Sequence, residues 1–243
     1  MSTEPPHRPQ PVGRTIEDVF EEFLEEQAKR LKPAGLRKYK DIIDLLRSSL
    51  NGYAYQSLDP EEASLFDRLY GARGDAHREF CEIFGPEKIC ENVGEFLGYF
   101  MVRKVMCGKD LKQAAGTVTQ KLGRWLAEKG YIAAEDAAEV VGRGTTATRD
   151  LPAAEELARM LAHYTDSMPV DTEDVIEDHF LVTAVEPGKL HLSSFIDDDV
   201  MVVPVPRCIR CISDACQAGW SISGAVGRKG KRWHLLEVWN VYP

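Results

Sequence analysis

Apolar side chains recur along residues 109–132, KDLKQAAGTVTQKLGRWLAEKGYI, at Leu111, Ala115, Val118, Leu122, Trp125 and Leu126. This i, i+3, i+4, i+7 spacing lays them on one stripe of a helix. Gly130 fits the left-handed position just past the helix end, with Tyr131 folding back on Leu126. Gly116 and Gly123 each cost about 1 kcal/mol relative to alanine inside a helix. Being seven apart they share a face, which predicts a track where another helix crosses closely. Upstream, Thr15 caps a first helix carrying Ile16, Val19, Phe20, Phe23, Leu24, Ala28 and Leu31, acidic in its first turns and basic at its end. Pro33 limits its continuation. A second helix carries Leu36, Tyr39, Ile43, Leu46 and Leu50 and is expected to stop at Asn51-Gly52. Asp59-Pro60 opens a third. Residues 72–84 show no clear pattern. Gly85-Pro86-Glu87 opens a helix through Ile89, Val93, Phe96, Leu97, Phe100 and Met101, whose Gly94 and Gly98 are a candidate partner for the Gly116/Gly123 track. A short Ala-rich helix follows over 134–141, then a loop or hinge at Gly142-Arg143-Gly144-Thr145-Thr146. A connecting helix is marked by Leu157, Ala158, Leu161 and Tyr164.

From His179 the period changes to that of strands. HFLVTAVE and KLHLSSFI flank the turn pair Pro187-Gly188, VMVVPV follows, residues 206–217 read as helical, and GWSISGAVGR and KRWHLLEVWNVY form a hairpin around Lys229-Gly230. Alternation slips at Leu235-Leu236, which predicts a bulge. Three strands, a helix and two strands is the element order of the OB-fold, with an SH3-like barrel or an open α+β sheet as alternatives. The expected class is therefore α+β in two domains, a helical bundle followed by a small five-stranded, OB-like β-barrel with one helix. The expected boundaries are a disordered tail over 1–14, a helical domain over 15–142, a linker with the connecting helix over 143–178, and the barrel over 179–243.

The net charge of −9 over 243 residues is uneven. The first 27 residues carry 2 basic and 7 acidic side chains, residues 28–150 carry 20 and 18, and residues 151–243 carry 8 and 14. An acidic whole argues against broad coating of nucleic acid but leaves room for a local basic patch. The longest apolar runs fall short of a membrane span, and MSTEPPHRPQPVGR has no apolar core of a signal peptide. A cytoplasmic location with reduced cysteines is the expectation.

Cys208-x-x-Cys211-x4-Cys216 resembles half a zinc site, with only His191 and His234 as further candidates for a ligand; on a helix these thiols more simply pack in the core. Asp197-Asp198-Asp199 lacks the spacing of a calcium loop and reads as a solvated turn. Gly224-x-x-Gly227-x-x-Gly230 precedes no helix, so it fails as a phosphate cradle and serves a hairpin. No metal or cofactor is expected. Trp220, Trp233 and Trp239 could stack bases but suit a barrel core. Three basic groups stand out: Lys32, Arg37, Lys38 and Lys40; Arg103, Lys104, Lys109 and Lys112; and Arg228, Lys229, Lys231 and Arg232. Helix-start amides with lysines suit phosphate oxygens.

Residues 15–132 resemble the N-terminal core-binding, SAM-like domain of phage integrases and other tyrosine recombinases. LKPAGLRKYKDIIDLLRSSL is similar to that family's first unit of a turn and a Tyr-containing helix, and GKDLKQAAGTVTQKLGRWLAEKGYI to its last; FGPEKICENVGEFLGYF stands at the intervening helix. Residues 60–84 are an insertion relative to that spacing. The resemblance implies a small helical bundle that clamps one side of duplex DNA, with the first two basic groups on the backbone. The family's catalytic half is not found, since none of the six histidines has an arginine three residues on. The expected function is a non-catalytic DNA-binding or accessory protein rather than an enzyme. The alternative is a protein-interaction or scaffold module that has lost DNA.

Overall fold

The computed structural model describes residues 13–167, 170–195, 200–206 and 212–243. The chain forms two compact units, residues 1–97 with 114–145, and residues 98–113 with 146–243.

The helical unit begins with α1 (Ile16–Ala28), opened by the expected cap. The Thr15 hydroxyl accepts from the Asp18 N–H at 3.2 Å and the Asp18 carboxylate accepts from the Thr15 N–H at 2.9 Å. Such a cap contributes about 1 kcal/mol. Ile16, Val19, Phe20 and Phe23 are buried where α1 meets α2 (Pro33–Tyr53) and α4 (Phe80–Ile83). The expected stop at Asn51-Gly52 does not occur, and α2 runs on to Tyr53. Asn51 spends its carbonyl on the Cys81 backbone N–H at 3.0 Å, and so on α4 rather than on a local turn. Asp59 caps α3 (Pro60–Tyr70) with Pro60 at its first position, as expected. The patternless stretch 72–84 holds a 3-10 turn, Gly74–Ala76, and α4. α5 (Glu87–Glu95) passes through a π-helical turn, Phe96–Phe100, into α6 (Met101–Arg103).

α7 (Lys109–Glu128) ends as its sequence predicts. Gly130 has φ +74°, the Tyr131 N–H reaches the Leu126 carbonyl and the Gly130 N–H reaches Ala127, both at 2.9 Å. This is the paired closure that satisfies two orphan helix carbonyls. The Tyr131 ring itself leans on Trp125, with centroids 5.6 Å apart.

α8 (Ala134–Ser167) overturns the expected hinge and linker: it is one helix of 34 residues through Gly142, Gly144 and Pro152. The glycines there mark an approach rather than a break. A Cβ on Gly144 would lie 2.8 Å from the Gly116 carbonyl oxygen and 2.9 Å from the Gln120 nitrogen, and one on Gly123 would lie 2.7 Å from Val140 Cγ1. The Gly116/Gly123 track is thus crossed closely by α8, not by the segment of Gly94 and Gly98. Gly94 faces the Arg143 guanidinium, and nothing lies within 4 Å of a Cβ on Gly98.

The sheet unit contains β1 (Asp174–Glu186), β2 (Lys189–Ser194), β3 (Val200–Pro204), α9 (Ile212–Ala215), β4 (Ser221–Lys229) and β5 (Arg232–Tyr242). The expected element order holds, and β1 starts at Asp174, inside the expected linker and ahead of the change of period at His179. All pairings are antiparallel, in the order β3-β2-β1-β4-β5. The sheet is not closed into the expected barrel: among the described residues no ladder joins β3 to β5. β3 is short and ends at Pro204, which has no N–H to give, and β5 is interrupted by bulges. Phe180, Val182, Leu190, Leu192, Ile222 and Val226 form the inner face, covered by Leu157 and Leu161 of α8.

β5 carries the bulge expected at Leu235-Leu236, since Leu235 pairs with Val226 and Glu237 with Ala225, leaving Leu236 over. A second slip leaves Trp239 over, between Val238 opposite Gly224 and Asn240 opposite Ser223. Gly224 is required there, because a Cβ would lie 2.1 Å from the Glu237 carbonyl oxygen.

The two glycines of α8 should respond oppositely to an added methyl group. Gly142 is exposed and a Cβ there would meet nothing within 4 Å, whereas Gly144 is buried against backbone. Gly142→Ala therefore raises stability by up to about 1 kcal/mol, while Gly144→Ala lowers it by roughly 1–3 kcal/mol. Urea titration of the two variants checks the opposite signs. A pH dependence is expected at the end of α7. Glu22 accepts from the Tyr131 hydroxyl at 2.6 Å and pairs with Lys129 at 3.0 Å and with Arg14. These bonds, Tyr131 first, hold its pKa down at about 2 against 4.5. The stabilisation is complete above pH 4.5 and is lost as pH falls towards 2. Thermal melts of Glu22→Gln and the parent converge across that window and differ most above it.

Candidate functional site

The sequence places its first basic group at the start of α2, and the structure keeps Lys32, Arg37, Lys38 and Lys40 exposed there. Among the described residues none of the four has an ion-pair partner within 4 Å. Lys32 occupies the N-cap without a capping side chain, Pro33 opens the helix and its first turn holds no acid. The first intrahelical bond is from the Leu36 N–H to the Lys32 carbonyl at 3.0 Å. Cations beside the positive end of a helix repel it, and an anion there relieves both.

A short step along the chain, the structure adds three cations that the sequence does not single out. Arg30, at the end of α1, meets Lys121 and Arg124 of α7 around a cavity of about 110 Å³, floored by Gln27 and Trp125. Glu128 is the one carboxylate lining it among the described residues. The Arg30 guanidinium is steadied by Gln27 at 3.1 Å. Lys121 and Arg124 are exposed and have no ion pair among the described residues. The available signal was periodic: Lys121, Arg124 and Glu128 recur at i, i+3 and i+7, on the face flanking the Trp125 side of the apolar stripe. The aromatic floor is rigid, with Trp125 edge-on to Phe23 at 5.3 Å, Tyr39 stacked on Phe23 at 5.9 Å, and the Trp125 indole N–H donating to Glu26 at 2.8 Å.

The second basic group is divided. Arg103, Lys104 and Lys109 are exposed, but Lys112 is buried, its side chain only 4% accessible, and ion-paired with Glu155 of α8. A paired, buried ammonium does not serve a phosphate on the surface, so the expected role fails for Lys112. It lines instead a cavity of about 460 Å³ in the sheet unit, between residues 102–107, α8 and the end of β5. Cys107 lies on the same wall, and burial raises its pKa despite the opposing pull of Lys112. Trp239, the residue left over at the second bulge, is 46% exposed and lines this cavity too.

The third group sits at the β4–β5 turn, where Gly230 has φ +61°. Lys229, Lys231 and Arg232 are exposed, whereas Arg228 pairs with Asp174 and lies over the Trp233 ring at 5.8 Å. The cavity wall uses Val238 to Val241, six or more residues farther along β5, or roughly 20 Å at strand rise. The second and third groups therefore do not merge into one patch.

Of the other candidates, Cys208, Cys211 and Asp197 to Asp199 lie outside the described residues. Cys216 packs in the sheet core, where burial pushes its thiol up to about 12. His191 faces Glu186 at 3.0 Å. No set of three metal-ligating side chains converges among the described residues. Trp220 belongs to the core, as expected. No helix among the described residues is long and apolar enough to cross a membrane. No family model matches the chain, and neither a curated protein nor a solved structure is significantly similar to it.

Proposed function

We propose that this is a non-catalytic DNA-binding or accessory protein whose helical unit holds backbone phosphates at the corner of α1 and α2 and along the exposed face of α7. The observation that carries the reading is the convergence of Arg30, Lys121 and Arg124 around one polar cavity, with no ion pair on Lys121 or Arg124 among the described residues. Cations without a carboxylate partner among the described residues retain their charge for a phosphate, and the acid-free start of α2, with no side-chain cap, adds backbone N–H groups of the same polarity. The resemblance of residues 15–132 to the core-binding domain of tyrosine recombinases points to the same ligand. In this reading the sheet is an OB-like barrel left partly open, because the order β3-β2-β1-β4-β5 becomes a ring when its two end strands meet.

A second reading, a protein-interaction module, draws on the outer side of β3. Val200 and Val202 point outward at one end of the strand order, and Phe195, just past the end of β2, is 67% exposed. Apolar residues on an end strand suit a protein partner better than a phosphate backbone.

Fluorescence anisotropy with a labelled duplex and a labelled single strand, at about 50 and 200 mM salt, separates the two readings. Duplex binding is expected to be saturable and to weaken about 100-fold over that range if roughly four phosphates are contacted. The combined variant Arg30→Glu, Lys121→Glu and Arg124→Glu should lose at least tenfold in affinity, while Lys112→Met leaves it unchanged. Absence of binding at the lower salt, or binding indifferent to the triple variant, sinks the DNA reading and leaves the β3 face to be tested with Val202→Lys against a protein partner.

A further inference from the structure

We infer that the cavity in the sheet unit is a binding site for a small aromatic carboxylate, with Lys112 as its anion anchor and Trp239 as its stacking surface. At about 460 Å³ it falls within the range of small-molecule sites. Every lining residue belongs to the sheet unit, so one compact body builds it. Its apolar wall comes from valines of residues 102–105 and of β5, and from Ala158 and Ala162 of α8.

The polar group at its base is unusual in being buried and only partly satisfied. An ammonium has three donors and no acceptor. Among the described residues the Lys112 ammonium has a single partner, the Glu155 carboxylate, and its side chain is 4% accessible. Glu155 is 49% accessible, so the pair is lopsided: the carboxylate is largely hydrated and the ammonium is not. Burying a cation costs several kcal/mol unless its remaining donors are met, and Lys112 is among the residues that line the cavity. Arg159 lines the same space and is ion-paired with Glu156, as Lys112 is with Glu155. Arg103, Lys104 and Lys109 stand on the adjoining segments, and Lys109 is near enough to help Arg159 hold the Glu156 carboxyl low.

The flat part of the ligand is read from the bulge. The chain gives up a ladder position at Trp239, and a side chain at residue 224, to turn an indole out where it is half exposed. Its N–H is fixed to Glu237 at 3.1 Å, which holds the ring while its face stays open. An oriented, half-exposed indole beside an anion anchor suits a planar aromatic ring carrying one carboxylate.

Titration calorimetry of the whole protein with 2-naphthoate, 2-naphthamide and 2-naphthylmethylamine tests this, since the three share a ring system and differ in charge. Naphthoate should bind with one-to-one stoichiometry and at least tenfold more tightly than the amide, with the amine weakest. Lys112→Met should cost tenfold or more for naphthoate and erase its advantage over the amide. Glu155→Gln, which removes the competing carboxylate, should strengthen naphthoate binding. Ala162→Trp, which fills the cavity from α8, should abolish binding of all three while far-UV circular dichroism stays unchanged. Equal affinities for the three probes, no naphthoate binding at millimolar concentration, or naphthoate binding that survives both Ala162→Trp and Lys112→Met overturns the inference. Because the site lies in the sheet unit and the proposed DNA contacts in the helical unit, failure of one does not imply failure of the other.

Discussion

The helical unit depends on one contact, the close crossing of α7 and α8 at their glycines. Gly144 leaves no room for a methyl group over the Gly116 carbonyl, and Gly123 leaves none beside Val140. Backbones this close bring many weak attractions into range together, and helix packing of this kind tolerates no added volume. The crossing also fixes the rotation of α7 about its axis. With Gly116 and Gly123 turned to α8, and Val118, Leu122, Trp125 and Leu126 buried in the unit, Lys121 and Arg124 face outward. The cations beside Arg30 are thus a consequence of where the glycines must point.

The sheet unit rests on a comparable local concession. Gly224 lets β5 bulge, and the bulge turns Trp239 out of the alternating pattern. Bulges increase local twist and re-aim a side chain at the expense of ladder hydrogen bonds. They also leave β5 poorly suited to ladder with another strand, which fits the absence of a ladder to the nearby β3 among the described residues. An open sheet and an exposed indole share one cause.

Much of this was legible in the sequence. Thr15, Asp59 and Gly130 mark their helix ends because caps and left-handed stops are local chemistry. The succession of strands along the chain and the bulge at Leu236 follow from a period of two and its slip. What misled was glycine. Gly142 and Gly144 carry the composition of a hinge, yet stand inside a 34-residue helix, because the reason for Gly144 is a neighbour 28 residues earlier rather than a turn. Asn51-Gly52 misled for a similar reason, the Asn51 carbonyl being claimed by Cys81. Closure of the barrel was not legible either, since two strands must meet edge to edge and no local pattern reports an unpaired edge. For the candidate site, the first basic group is where the sequence put it, but Arg30, Lys121 and Arg124 were overlooked because they do not cluster in sequence.

The two lysines of α7 show why charge alone could not have assigned these sites. Lys112 and Lys121 belong to the same helix and differ little in local sequence, yet one is paired and buried while the other is exposed and, among the described residues, unpaired. A phosphate bound at the surface gains from a cation only what that cation has not already spent on a carboxylate, and a long strand cannot follow it below the surface. A small ligand faces the opposite condition: in a desolvated cavity an ammonium with donors to spare attracts a carboxylate more strongly than any hydrated lysine does. Burial and pairing thus separate the cations of one helix, and the two proposals follow that division: an extended polyanion for Lys121 with Arg124 and a compact monoanion for Lys112.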